Sequence, residues 1–263
     1  LMLTKVYVTG GLGPNAGNEG FTRDYDLPNQ TAYAETCAAV ALIFWARAMW
    51  HLDPDGRYAD MLECALYNGT LVGLSREGSE YFYANPLESD GTHGRWAWHN
   101  CPCCTMNVSR LVASVGGYAM SAGAGAIALH LYGVFSAQLN VVNTTVAVAE
   151  SSNYPWSGDI CIAVDPDRPA RFALMLRIPA WARSHAVKVN GLPVETVPEK
   201  GYLTILRDWA PGDTVDLHLP TPPERLFAHP AVANDAGRVA LRRGPLVYCL
   251  EGADNGGPVQ HLR

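Results

Sequence analysis

Two periods of hydrophobic and polar residues divide the chain. Up to about residue 122 the apolar positions recur at helical spacing. From Ala34 to Leu52 the stripe runs through Val40, Phe44, Ala48 and Leu52, and Asp53-Pro54-Asp55-Gly56 supplies the turn chemistry to stop it. A second helix is predicted from about Arg57 to Leu74, with Met61, Ala65 and Leu66 facing inward. A third begins near Asn107, read as an N-cap or first-turn residue, and carries Val108, Leu111, Val112 and Val115. Between the last two, Glu80 to Ala84 reads as a short extended segment ahead of Asn85-Pro86.

After Gly123-Ala124-Gly125 the period falls to two. Ile127 to Tyr132, Leu139 to Val148, Asp159 to Val164, Phe172 to Ile178 and Ala186 to Val189 read as strands. So do Tyr202 to Leu206, Thr214 to Leu219 and Arg238 to Leu250, with Asn190-Gly191 and Pro211-Gly212-Asp213 as turn signals. Many short strands with such punctuation predict a β-sandwich. The chain is therefore expected to be an α + β multidomain protein. Three helices are too few for a self-sufficient helical domain, so the first part is expected to be the end of a larger one.

Composition narrows the picture. With 263 residues, 48% of them hydrophobic and 17% charged, the chain can bury a sizeable core and is not a disordered polypeptide. The net charge of −6 and the scattered Lys and Arg argue against a nucleic-acid partner. The longest apolar run, around Cys37 to Trp45, has the size of a helix core, so no membrane span is expected. Leu1-Met2-Leu3-Thr4-Lys5 shows neither an initiator Met at position 1 nor a signal peptide, which suggests a fragment of something longer. The odd count of seven cysteines does not make a disulfide framework, and adjacent cysteines seldom bridge. Reduced thiols and a cytoplasmic location are the expectation.

The candidate chemistry lies in Cys101-Pro102-Cys103-Cys104-Thr105-Met106-Asn107, read with Glu35-Thr36-Cys37. Three thiols and a carboxylate form a ligand set that tetrahedral zinc accepts, and a bound metal keeps a cysteine as thiolate. Glu35 and Cys37 would not share a helix face, so both reach one ion only if Glu35 lies where the helix starts. The adjacent cysteines need irregular backbone too, which Pro102 ahead of the third helix would provide. Helix N-termini at both pairs would favour thiolate and carboxylate. The competing reading is buried free thiols packed as small apolar groups. Glu19, in Gly17-Asn18-Glu19-Gly20-Phe21, reads on its own as a solvated loop carboxylate. Gly10-Gly11-Leu12-Gly13 before it lacks the setting and the Lys of a phosphate cradle. His51, His93, His99 and His130 show no metal spacing. Trp96, Trp98, Tyr81 and Tyr83 suit a sugar pocket and ordinary core equally well.

Taken together, several segments resemble the β-L-arabinofuranosidases of glycoside hydrolase family 127. They are Tyr7-Val8-Thr9-Gly10-Gly11, Phe21-Thr22-x-Asp24-Tyr25-Asp26-Leu27-Pro28-Asn29, Tyr33-Ala34-Glu35-Thr36-Cys37-Ala38 and Tyr81-Phe82-Tyr83-Ala84-Asn85-Pro86-Leu87. Cys103-Cys104-x-x-Asn107-Val108-x-Arg110-Leu111, Leu176-Arg177-Ile178-Pro179-Ala180-Trp181 and Arg243-Gly244-Pro245-Leu246-Val247-Tyr248 complete the match, which covers essentially the whole chain in family order.

The resemblance implies an (α/α)6 barrel followed by β-sandwich modules. Residues 1–122 would be the end of the catalytic barrel, and 123–263 a β-sandwich region of one or two modules. It also implies a zinc site of Glu35, Cys37, Cys103 and Cys104, with Cys103 as nucleophile. Glu19, sixteen residues before Glu35, takes the acid/base position, and Tyr83 that of a substrate-contacting tyrosine. Cys101 receives no ligand role. The expected activity is that of a retaining exo-glycosidase releasing L-arabinofuranose from β-L-arabinofuranosides.

Set against that family, Thr105-Met106 replace a common Pro-Pro, and the N-terminal barrel that supplies the family's pocket histidines is expected to lie outside these 263 residues. The fragment alone is therefore expected to be inactive. Other readings are hydrolysis by a metal-activated water, a non-catalytic carbohydrate-binding or structural zinc protein, and a hydrolase of the same fold acting on another sugar. The partner expected is an oligosaccharide or glycoside, with no nucleic acid and no membrane; a homodimer is left open.

Overall fold

The computed structural model describes residues 2–123 and 125–259. Its first helix, α1 (Thr36–Leu52), starts two residues later than the apolar stripe predicts. Ala34 has φ of 39°, left-handed backbone that a right-handed helix cannot incorporate. Helix α2 (Gly56–Cys64) also differs from its prediction. The expected run to Leu74 continues as a π-helical turn over Ala65–Thr70 and a 3-10 turn over Leu71–Gly73. Close approach of the loop at Gly10 accompanies this widening. A Cβ on Gly10 would lie 2.6 Å from the Cα of Ala65, and Gly10 has φ of +79°.

Helix α3 (Cys103–Val115) starts four residues before the predicted Asn107. Pro102 sits just ahead of it, and its carbonyl accepts hydrogen bonds from the Thr105 hydroxyl at 2.9 Å and the Met106 N–H at 3.3 Å. These bonds close a first turn, so the adjacent cysteines are the first two residues of the helix. The expectation of irregular backbone beneath them is corrected. Glu80 to Ala84 forms no strand but contributes isolated bridges from Tyr81 to Leu74 and Trp96.

Packing divides the chain into two compact units. The first contains the chain up to Trp45, Met61–Leu111 and the chain from Pro223 onward; the second contains Ala46–Asp60 and Val112–Pro222. In the second unit β1 (Met120–Gly123), β2 (Ala126–Leu129), β6 (Ala170–Arg177) and β9 (Tyr202–Trp209) form a four-stranded sheet in the order β1-β2-β6-β9. A six-stranded sheet joins β3 (Phe135–Val141), β4 (Thr144–Ser152), β5 (Asp159–Pro166), β10 (Asp213–His218), β7 (Ala186–Val189) and β8 (Leu192–Pro193), in that order. All pairings are antiparallel except β2 with β6.

The period-two reading becomes physical in β5, where Ile160, Ile162, Val164 and Pro166 are buried and the residues between them exposed. The segment Leu139 to Val148, read as one strand, is a hairpin instead. Val142 and Asn143 turn it, with φ of 48° and 58°. Arg177 is fully buried, and its guanidinium donates to the His130 carbonyl at 2.5 Å and to Asp60 at 2.6 Å. Pairing of that kind makes burial of a charge tolerable.

In the first unit Val40, Ile43, Ala65, Val108 and Leu111 are core residues. A three-stranded sheet of β11 (Pro223–Leu226), β12 (Ala240–Arg243) and β13 (Leu246–Tyr248) belongs to this unit. The predicted strand Arg238 to Leu250 is thus two strands folded at Gly244, which has φ of 56°. Buried Asn68 fastens the hairpin to the π-helical turn: its amide donates to the Pro245 carbonyl at 2.9 Å and its carbonyl oxygen accepts the Val247 N–H at 2.9 Å. Asn29 donates to Asp235 at 2.8 Å, and Arg238 pairs with Glu88 at 2.7 Å. No helix among the described residues is long and apolar enough to cross a membrane.

Candidate active site

The site is assembled within the first unit from three stretches of chain. Glu35 stands immediately before α1, where its carbonyl accepts the N–H groups of Ala38 at 2.9 Å and Ala39 at 3.2 Å. It therefore occupies the N-cap position, with its side chain free of helical spacing. Cys37 follows as the second helical residue, so the non-helical residue expected at Glu35 is present.

The segment carrying Tyr83 runs alongside. Thr36 N–H donates to the Tyr83 carbonyl at 3.0 Å, and Asn85 N–H to the Tyr33 carbonyl at 3.0 Å. The Thr36 hydroxyl donates to the Phe82 carbonyl at 2.8 Å, while the Asn85 amide reaches the Ala34 carbonyl at 2.9 Å. These bonds satisfy backbone groups that a left-handed residue and a helix start would otherwise leave unpaired. They also set Glu35, Cys37 and Tyr83 in fixed relation.

Helix α3 brings the third stretch. One ligand atom each from Glu35, Cys37, Cys103 and Cys104 all lie within 4.8 Å of one another, an arrangement that can hold a metal ion. Cys37 Sγ is 3.5 Å from Cys104 Sγ, and Cys103 Sγ is 3.9 Å from Cys104 Sγ. Glu35 Oε1 lies 3.4 Å from Cys103 Sγ and 3.7 Å from Cys104 Sγ. Cys104 is buried and the other three are half-buried, so the bland reading of thiols as apolar filler leaves the carboxylate among them unexplained. Cys101, by contrast, is exposed and outside the cluster.

Electrostatics distinguish the three thiols. Hydrogen bonding from Cys104, and then from Asn107, brings the Cys37 thiol down to about 7. Burial pushes Cys103 up to about 12 despite the neighbouring Tyr83 hydroxyl. Cys104 is driven up by its hydrogen bond to Cys37 and by burial. Of the three thiols, Cys37 is thus the most readily ionised, and Cys103 and Cys104 resist ionisation.

Tyr83 lies beside this cluster, its hydroxyl 3.3 Å from Cys103 Sγ. Glu19 sits on the preceding loop at φ of 47° and accepts a hydrogen bond from the Tyr33 hydroxyl at 3.0 Å. Tyr33 and Tyr83 pack ring against ring at 6.0 Å. Sequence reasoning missed Tyr33, and it read Asn107 as a helix start. Asn107 is instead the fifth residue of α3 and donates from its amide to Cys37 Sγ at 3.1 Å. Its spacing of four from Cys103 placed it on the same helix face and was the available signal.

Three Cys and one Glu gathered at the starts of two helices, with sheets following in sequence, are the features to set beside known families. Residues 1–117 match the family model of the β-L-arabinofuranosidase GH127 catalytic domain, 126–221 that of the GH127 middle domain, and 223–263 that of the glycoside hydrolase family 127 C-terminal domain. Together these span nearly the whole chain, which belongs to glycoside hydrolase family 127.

Among its relatives is a non-reducing end β-L-arabinofuranosidase of Bifidobacterium longum subsp. longum, 38% identical over all of this chain and 42% of that protein. Solved structures agree. A GH127 β-L-arabinofuranosidase from Geobacillus stearothermophilus T6 is 46% identical with a TM-score of 0.93, over 96% of this chain and 42% of that one. A second GH127 β-arabinofuranosidase is 38% identical with the same TM-score and the same coverage of both chains. The chain therefore spans less than half the length of these relatives.

Proposed function

We propose that the protein is a retaining exo-glycosidase that releases L-arabinofuranose from β-L-arabinofuranosides, with Cys103 as nucleophile and Glu19 as acid/base. The observation that carries this reading is the meeting of Cys103 with Glu35, Cys37 and Cys104 at one point, beside the Tyr83 hydroxyl. In this reading residues 1–122 belong to the end of an (α/α)6 barrel and the strands of 123–263 to a β-sandwich region. Substrate choice rests on likeness to relatives described as β-L-arabinofuranosidases.

The donor set fits zinc. Zn–S bonds of about 2.3 Å and Zn–O bonds of about 2.1 Å set tetrahedral edges of roughly 3.8 Å between sulfurs and roughly 3.6 Å between sulfur and oxygen. Four of the six separations, S–S of 3.5 and 3.9 Å and S–O of 3.4 and 3.7 Å, straddle those values, and all six lie within 4.8 Å. Bound zinc supplies the positive charge that keeps the cluster's thiols ionised at neutral pH.

The chain's own residues then do the chemistry. The Cys103 thiolate attacks the anomeric carbon, forming a C–S bond as the glycosidic C–O bond breaks. Glu19 gives its proton to the departing oxygen, and the alcohol leaves. In the second step water attacks the same carbon while the Glu19 carboxylate takes its proton. The C–S bond breaks, Cys103 returns as thiolate, and two inversions leave net retention. This follows the two-carboxyl scheme of retaining glycosidases, with a thiolate in place of one carboxylate. The Tyr83 hydroxyl, in reach of Cys103 Sγ, can donate to the thiolate when it departs.

Two measurements on the full-length protein test this. Plasma mass spectrometry should find about one zinc per chain, lost in a Cys103→Ser/Cys104→Ser double variant. Cys103→Ser alone should lower kcat by at least about 1000-fold. Near-normal turnover by that variant would remove Cys103 from the nucleophile role.

A further inference from the structure

We propose that Tyr33 is a positioning residue that holds the Glu19 carboxylate for proton transfer, and that Tyr83 is the spacer fixing it relative to Cys103. This rests on the assignment of Glu19 and Cys103 given above.

The need for such a residue is evident at Glu19 itself. It is exposed on a loop, in left-handed backbone, between two short polar turns. In those turns Gly17 N–H donates to Asn15 Oδ1 at 3.0 Å and Gly20 N–H to Asn18 Oδ1 at 3.2 Å. These bonds shape the backbone and leave the Glu19 side-chain torsions unconstrained. A general acid that samples several rotamers loses rate, because proton transfer needs its oxygen within hydrogen-bond reach of the leaving group.

The Tyr33 hydroxyl supplies the restraint, donating to Glu19 Oε1 at 3.0 Å. Tyr33 is itself well placed to act as a fixed post. Its N–H donates to the Gly13 carbonyl at 3.1 Å, and its carbonyl accepts Asn85 N–H at 3.0 Å. Its ring lies 6.0 Å from that of Tyr83, centroid to centroid, with the planes tilted at 43°. Tyr83 in turn reaches Cys103 Sγ at 3.3 Å. Two short polar contacts joined by one packed ring pair, Glu19–Tyr33–Tyr83–Cys103, thus span from acid/base to nucleophile. There is a further chemical consequence. Because Tyr33 donates to Oε1, the proton that Glu19 delivers is carried on Oε2.

The test exploits the differing need of leaving groups for a proton. In the zinc-loaded full-length protein, kcat/KM is measured for methyl and for 4-nitrophenyl β-L-arabinofuranoside, using wild type, Tyr33→Phe and Glu19→Gln. An alkoxide needs the acid; a nitrophenolate hardly does. Tyr33→Phe keeps the ring and should keep zinc content and melting temperature. It should lower kcat/KM about 10- to 100-fold on the methyl glycoside and less than about 3-fold on the nitrophenyl glycoside. Glu19→Gln should show the same asymmetry more strongly.

Equal losses on both substrates, no loss on either, or unfolding of the Tyr33→Phe variant would make Tyr33 a packing residue and overturn the proposal. If Glu19→Gln itself lacks the asymmetry, the acid/base assignment fails. If Glu19→Gln shows it and Tyr33→Phe does not, the positioning role alone fails.

Discussion

At the scale of single residues, the chemistry is set by neighbours that carry none of it themselves. Asn107 shows this most directly. Its amide donates to Cys37 Sγ at 3.1 Å, which favours the thiolate and orients it toward the cluster. Asn107→Ala should weaken zinc affinity about 10-fold or more, read by competition with a chromophoric chelator, because outer partners of metal ligands contribute on that scale. Much of this site was legible: Glu35, Cys37, Cys103 and Cys104 were identified by residue type and by the family-like motifs around them. Tyr33 was not, since a tyrosine next to a motif carries no mark of where its hydroxyl goes. What joins it to Glu19 is a loop folded back across fourteen positions, a distance no local period encodes.

At the scale of elements, the apolar stripes found the helices and missed where they begin. The left-handed Ala34 and the first turn closed on Pro102 are backbone decisions that a hydrophobic period does not record. The hairpin at Val142-Asn143 is a harder case. A β-branched residue in left-handed backbone violates local preference, so the sequence around it reads as uninterrupted strand. The antiparallel ladder of β3 with β4, from Val141–Thr144 out to Phe135–Glu150, holds the turn in place instead. The π-helical turn after α2 is closely approached by Gly10, where a Cβ would meet the backbone of Ala65. Gly10→Ala should therefore destabilise the first unit by about 2–4 kcal/mol, measured by urea titration, since neither the backbone contact nor the positive φ can relax cheaply.

At the scale of the whole molecule, the second unit carries a buried carboxyl that makes stability depend on pH. Glu150 is buried, accepts one bond from Gly133 N–H at 3.3 Å, and leaves Oε1 without a hydrogen-bond partner. Burial pushes its carboxyl from 4.5 up to about 8. The folded state thus holds this proton more tightly than the unfolded chain. Its stabilising contribution is fully present below 4.5, declines as pH rises through the interval, and is gone above about 8. Glu150→Gln should raise the melting temperature by about 5 °C near pH 9 and change it little near pH 4, as scanning calorimetry would show. The period-two pattern identified the strands of this unit well, but it did not reveal that the strands from Pro223 onward pack with the first unit. That grouping depends on side chains such as Asn68, which bonds to residues far away in sequence at Pro245 and Val247. The Asn68 clasp has a consequence for biosynthesis. A ribosome makes Cys103 and Cys104 long before Pro245, so the bonds from Asn68 to the hairpin can form only after both thiols have been made. The reactive thiols are therefore synthesised, and must be kept reduced, before the hairpin that Asn68 holds exists.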